Sequence, residues 1–189
     1  MNRDMDNAVL ENMRTRRSVR AYLPRQIKDE ELQAVLEAGT YAPTGMGTQE
    51  PWIVAVQDAA LRARITRMNF ECFDEGMRAR MAERGTDDPF YGAPTIVLVF
   101  ADPKYANTAV EDGSLILGNM MNAAHAVGLG SCWINREKQM FSKPEGQALL
   151  KELGLPEGLI GVGALSLGYP AGEPKPAKPR KENYYRIIR

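Results

Sequence analysis

Residues 14–22 read RTRRSVRAY, and the reading of this stretch decides how the rest of the chain is understood. It holds Arg14, Arg16, Arg17 and Arg20, yet the 189-residue chain is balanced, with 24 Lys+Arg against 24 Asp+Glu. The positive charge is therefore local, as if set against a local anion. A row of guanidinium forks beside the Ser18 hydroxyl suits a phosphate, whose oxygens such forks take bidentately. The other reading is a solvated basic turn. Met5, Val9 and Met13 precede the stretch at helical spacing within residues 5–14, and extended AYLPRQI follows, so the arginines straddle a helix end.

Composition bounds the possibilities. At 44% hydrophobic and 25% charged residues, the chain reads as one soluble domain over residues 1–168 with an extended arm over 169–189. A net charge of zero argues against nucleic acid and anionic membrane as partners. Cys72 and Cys132 are too few for a disulfide framework or a Cys-based metal site, which fits a reduced, cytoplasmic setting. The N-terminus has no apolar signal segment, and the longest apolar runs, such as TIVLVFA, fall far short of a membrane span.

KDEELQAVLEAGTYAP (28–43) reads as a helix that ends before Pro43, with Asp29 as its cap and Leu32, Val35, Leu36 and Gly39 on one face. PWIVAVQ and PTIVLVFA read as strands buried on both faces. Residues 58–84 read as one long charged helix breaking near Gly76, and residues 108–127 and 144–153 as further helices. SCWIN and LIGVGALSLGY supply two more strands. Interleaved helices and strands predict an α/β or α+β arrangement around a central sheet. Pro170, Pro174, Pro176 and Pro179 exclude helix from the arm. Its ending, NYYRIIR, suits a strand added to another subunit, unless the arm is a free tail.

Two further stretches are candidate sites. APTGMGTQEPW (42–52) is a helix-to-strand loop in which Gly45 and Gly47 leave backbone N–H groups open to a flat ligand, while Thr44, Thr48 and Gln49 offer polar contacts. GLGSCWINR (128–136) is glycine-rich but has neither G-x-G-x-x-G nor a Walker pattern. Cys132 lacks an evident histidine partner and reads as a core or near-site residue, and the one histidine, His125, as a satisfied helix residue. Hydrolytic triads and zinc sites find no support. Phosphate-binding residues without a catalytic side chain point to chemistry carried by a cofactor.

RTRRSVRAY, APTGMGTQEPW, GLGSCWIN and LGYPAGEPKPAKPRK, in this order, resemble the motifs of the nitroreductase family of flavin-dependent oxidoreductases over residues 8–182. The resemblance implies an α+β sandwich with a mixed or antiparallel central sheet, forming an intertwined homodimer with C-terminal strand exchange and FMN at the interface. By position, it implies that Arg16, Arg17 and Ser18 hold the phosphate and ribityl end and that Arg20 lies near the pyrimidine edge of the ring. Lys178 and Arg180 would reach the phosphate from the arm. Pro43, Thr44 and Gly45 would come from the partner chain, with Gly47 and Gln49 in the same motif. Trp133, Ile134 and Asn135 would line the ring. Gly47 stands where the family has asparagine, Glu50 is inserted before Pro51, and a mid-chain contact to the ring falls near Thr86–Asp88.

The implied activity is ping-pong reduction: hydride from NADH or NADPH to flavin N5, then to a nitroaromatic, quinone or similar small electrophile. Arg20 would stabilise the charge that reduction places near N1. Alternatives are flavin fragmentation or reductive dehalogenation within the same superfamily, and a non-catalytic flavin-binding or sensing module.

Overall fold

Thr95–Ala101 is buried at every position, and Ile160–Gly168 at every position but its first. Paired antiparallel, these strands form the centre of a four-stranded sheet. In the computed structural model, which describes residues 7–105 and 107–189, the strands are β1 (Trp52–Val56), β2 (Thr95–Ala101), β3 (Gly130–Ile134) and β4 (Ile160–Gly168), in the order β1-β2-β4-β3. All three pairings are antiparallel. The predicted Met5 contribution to the first helix lies outside the described residues.

Strand periodicity divides β2 between two cores. Val97, Val99 and Ala101 point into one cluster, while Ile96, Leu98 and Phe100 point into the other. The first cluster packs against α2 (Asp29–Thr40) and α5 (Ala109–Ala126), which supply Val35 and Ile116, Leu117, Met120 and Ala124. The second takes Ile65 and Met68 from α3 (Ala59–Phe70), Met140 and Phe141 from α6 (Glu137–Ser142), and Leu149 and Leu150 from α7 (Pro144–Glu152). The result is the expected α+β sandwich, with the sheet antiparallel rather than mixed. No helix among the described residues is long and apolar enough to cross a membrane.

Several local expectations are corrected. β1 is an edge strand, not one buried on both faces: Trp52 is exposed and only Val56 is fully buried in the protomer. The charged segment is two helices, α3 and α4 (Glu75–Glu83). Its break lies at residues 71–74, because the Asp74 side chain caps α4 by accepting from the Met77 N–H at 2.8 Å. Gly76 lies inside α4. Asp29 is the first helical residue of α2 and Lys28 its cap, with the Lys28 N–H donating to Glu31 Oε2 at 3.0 Å. The six-residue α6 has no counterpart in the sequence reading. The strand expected from NYYRIIR belongs to a pairing with a second subunit; within the protomer the segment forms none, and Tyr184, Tyr185, Ile187 and Ile188 are exposed.

Gly146 tightens the turn from α6 into α7. A Cβ there would lie 2.3 Å from Met140 O and 2.6 Å from Phe141 Cα, both rigid backbone atoms. Gly146→Ala is expected to cost about 1–3 kcal/mol by overpacking. Gly76→Ala, on an exposed helical turn, is expected to gain about 0.5–1 kcal/mol. Denaturant unfolding of the two variants checks the opposite signs.

Candidate functional site

The arginine row begins where helix α1 (Ala8–Thr15) stops. Asn7 caps this helix through its side chain, which accepts from the Val9 N–H at 2.8 Å, and Arg16 turns the chain extended at φ −53°, ψ 135°. Two contacts dock α1 on α5: Asn12 Nδ2 donates to Asn122 O at 2.9 Å, and Thr15 Oγ1 lies 2.8 Å from His125 Nε2. His125 is thus the satisfied helix histidine expected from the sequence.

Residues 16–23 then run along the sheet edge. The Val19 N–H donates to Ser131 O at 3.0 Å, making a parallel bridge between Ser18 and Ser131 on β3. Gly130 gives Val19 its room, since a Cβ there would come within 2.8 Å of the valine side chain. The Tyr22 hydroxyl donates to Val19 O at 2.8 Å and lies 2.8 Å from Ser166 Oγ on β4. Burial raises the Tyr22 phenol above its ordinary range, so it stays protonated. The Leu23 N–H donates to Tyr169 O and the Ala171 N–H to Ala21 O, so the first residues of the arm are tied to their own chain.

Between the arginine row and the arm lies a cavity of about 720 Å³. Arg16, Arg17, Ser18 and Arg20 line one side, and Lys178 and Arg180 the other. Glu173 is the one carboxylate in its lining. Arg17 Nη1 donates to Arg14 O and Arg16 O, each at 2.7 Å, which closes the helix end. Arg17 Nε and Arg16 Nη1 are buried with no hydrogen-bond partner among the described residues. None of the six cavity cations, Arg16, Arg17, Arg20, Lys175, Lys178 and Arg180, forms an ion pair among the described residues, whereas Arg14 faces Glu11 at 3.9 Å and is not part of the lining. Arg16 and Arg17 both line the cavity, and unpartnered cationic donors are suited to an anion.

Arg20 ends the row on the side away from α1. Its guanidinium lies 5.9 Å from the centre of the Tyr91 ring. The neighbouring Cys132 sulfur raises its pKa most; burial opposes this, and Tyr91 and Tyr22 add to the rise. Burial pushes the Cys132 thiol up, against the pull of Arg20, Ser18 and Arg16, so it stays a thiol near neutral pH. Together with its near-complete burial, this agrees with a core residue beside the site.

The loop at 42–51 differs from expectation. The Gly45 N–H donates to Asp112 Oδ2 at 2.9 Å and the Gly47 N–H to Thr44 O at 2.9 Å, so neither is open to a ligand in the protomer. Asp112, buried on α5, also accepts from Thr108 Oγ1. Gly45 is required for packing, because a Cβ would lie 2.3 Å from Thr108 Oγ1. Gly47 is required for its φ of 67°. The Gln49 N–H donates to Thr44 Oγ1 at 3.0 Å, and Pro43, Thr44 and Gly45 lie outside the arginine-lined cavity. The inserted Glu50 is buried, and its Oε2 accepts from the Asp102 N–H at 2.7 Å.

On β3, Trp133 is partly buried, Ile134 is buried in the second core and Asn135 is exposed. Thr86–Asp88 folds on itself, with Asp88 Oδ1 accepting from the Phe90 N–H at 2.7 Å, and does not line the cavity. The mid-chain residue that does approach the arginine row is Tyr91, held in the left-handed region at φ 60°. A non-glycine residue at positive φ is a sign of constraint. Sequence reading missed it, along with Tyr22 and Ser166. The described residues hold no cluster of metal-binding side chains.

An α+β sandwich with an anion cradle beside its edge strand defines a class, and comparison with known proteins narrows it. The chain belongs to the nitroreductase family, whose model matches residues 13–169. A protein of Archaeoglobus fulgidus that carries the name NADH dehydrogenase/NAD(P)H nitroreductase is 34% identical over 167 residues, 84% of this chain and 83% of that protein. The crystal structure of a nitroreductase with bound FMN from Bacteroides fragilis superposes with a TM-score of 0.87 at 35% identity, covering 97% of this chain and all of that one. A nitroreductase with bound FMN from Desulfitobacterium hafniense gives 0.88 at 26% identity, covering 98% and 100%.

The Tyr22 hydroxyl ties the arginine row to β4. Tyr22→Phe leaves Val19 O and Ser166 Oγ without this partner and is expected to cost about 1–3 kcal/mol. Thermal or denaturant unfolding against the parent chain measures it.

Proposed function

We propose that the chain is an FMN-dependent oxidoreductase that draws electrons from NADH or NADPH and reduces nitroaromatics, quinones or similar small electrophiles. We place it in the cytoplasm as a homodimer. The observation that carries this reading is the pair of unpartnered donors, Arg16 Nη1 and Arg17 Nε, on residues that line one cavity with Ser18, Arg20, Lys178 and Arg180. Family membership and the FMN-bound relatives support the same choice of anion.

These residues fit the group. Arg16, Arg17 and Ser18 would hold its phosphate, with Lys178 and Arg180 closing over it from the arm. Bound FMN supplies a two-electron carrier able to take hydride from a nicotinamide and deliver it to an acceptor. Arg20, fully protonated beside Tyr91 and Cys132, supplies positive charge at the end of the row away from α1. Trp133 and Asn135 would form one wall, and Pro43, Thr44, Gly45, Gly47 and Gln49 would be contributed by the partner. Exposed Trp52, Val110, Leu115 and the aromatic and branched residues of the arm's end give a second copy apolar surface to cover. No protein nucleophile is needed, in keeping with a buried, protonated Cys132.

The purified protein is expected to be yellow, and a colourless chain that takes up no added FMN overturns the reading. Arg16→Ala removes a contact to a charge that turnover does not change. It is expected to weaken FMN binding by about 1.5–3 kcal/mol, roughly tenfold to a hundredfold in Kd, and to recover with excess FMN. Arg20→Ala is expected to remain slow when saturated and to lower the midpoint potential, because its charge acts where electrons arrive. Paired flavin and redox titrations separate the two roles. Cys132→Ala is expected to keep most of the turnover. A loss beyond about a hundredfold, roughly 2.7 kcal/mol of barrier, with FMN still bound, would indicate thiol chemistry.

A further inference from the structure

Beyond β3 the chain turns through Arg136, a non-glycine residue at φ 96°, and enters α6 at Glu137. Under this turn two polar side chains are completely buried, Asn69 from α3 and Glu137 itself. Asn69 Nδ2 donates to Asn135 O and to Glu137 Oε1, both at 2.9 Å. One side-chain amide therefore bridges the residues on either side of Arg136. Gly161 on β4 forms the floor, where a Cβ would lie 2.6 Å from the Glu137 carbonyl carbon.

Glu137 Oε2 and Asn69 Oδ1 are buried without partners. An ionised carboxylate with a single side-chain donor and no ion pair is costly in such a place. Of the groups around it, Asn69 from α3, Gly161 from β4 and Arg136 from the turn, only Arg136 carries charge, and its guanidinium sits 5.2 Å from the Phe73 ring centre. Burial pushes Glu137 up to about 8, against its own N–H, Asn69 and Arg136. Burial thus favours the uncharged acid near neutral pH, and because Oε1 accepts from Asn69, Oε2 is the oxygen left to carry the proton.

We propose that Asn69 and Glu137 form a clamp that positions the Asn135–Arg136 turn at the end of β3. Its consequence for the cofactor rests on the reading that Trp133 and Asn135 face FMN; the clamp itself does not. Glu137 and Asn69 are positioning residues, acting through the backbone they hold.

Trp133, two residues before the clamped carbonyl, reports on the turn without any cofactor. In the full-length chain carrying Trp52→Phe, its emission and its quenching by acrylamide are followed from about pH 6 to about pH 10. The expected result is a transition near pH 8 that is absent in Glu137→Gln, and altered emission at every pH in Glu137→Leu and Asn69→Leu. Stability provides the second readout. The folded chain retains a proton that the unfolded chain releases above about pH 4.3, so stability falls as pH rises between that value and about 8 and then levels off. Glu137→Gln is expected to flatten this fall.

A transition that persists in Glu137→Gln, or one absent from the parent, overturns the clamp. So does unchanged Trp133 emission in the leucine variants. If a leucine variant fails to fold, the comparison of Glu137→Gln with its parent decides alone. With FMN added, the visible circular dichroism of the bound flavin is expected to change in Glu137→Leu and to remain in Glu137→Gln. Trp133 behaving as expected in chains that bind no FMN supports the clamp while rejecting the cofactor. Normal FMN binding with an indifferent Trp133 overturns the clamp alone.

Discussion

One main-chain hydrogen bond, from the Val19 N–H to Ser131 O, connects the arginine row to the sheet. Residues 16–23 belong to no helix and to none of the four strands, so their place depends on this bridge and the few contacts that flank it. The docking of α1 on α5 fixes the row at one end and the Tyr22 hydroxyl fixes it at the other. Gly130 matters for the same reason, since any side chain there would push Val19 away. The site is assembled by backbone pairing first and by charge second.

That order has an energetic meaning. Cationic groups held in place before a ligand arrives lose little freedom when it binds, so more of each charge-assisted bond appears as affinity. The opposing effect is borne by the free protein: Arg16 Nη1 and Arg17 Nε lack partners where water scarcely reaches. Each unsatisfied buried donor costs about 1–3 kcal/mol. Arg17 limits the loss by directing Nη1 at two carbonyls of the helix end, which also neutralises acceptors that α1 leaves open. Two of the six buried side-chain atoms without partners among the described residues thus lie in the arginine row.

Much of the architecture was legible in the sequence because it depends on local pattern. β2 and β4 are continuous apolar runs, and α2 and α5 carry clear apolar faces. The misreadings share a cause. Whether PWIVAVQ is central or at an edge depends on which strands flank it, and nothing within the run encodes that. The helix break at Asp74 was visible as capping chemistry, but Gly76 drew attention as the more familiar breaker. At the site, the arginines and the basic arm were legible as excess local charge. The glycine N–H groups of the 42–52 loop were not, since Asp112, which takes one of them, lies far along the chain. Asn69 and Glu137 look in sequence like ordinary surface polar residues, and only the packing of three elements around them makes them otherwise.

The contacts that build the arginine row also determine when it can exist. Asn12 meets Asn122 and Thr15 meets His125 across 110 residues, and Tyr22 meets Ser166 across 144. Closing loops of that length before any reward is collected slows the search for native structure. During synthesis the N-terminal segment emerges early, but its partners on α5, β3 and β4 follow only after most of the chain has been made. At ordinary elongation rates, the interval is on the order of ten seconds. Through that interval the arginine-rich segment lacks these contacts and is open to any polyanion or chaperone nearby, and it takes its place beside the sheet only when the last strand has been made.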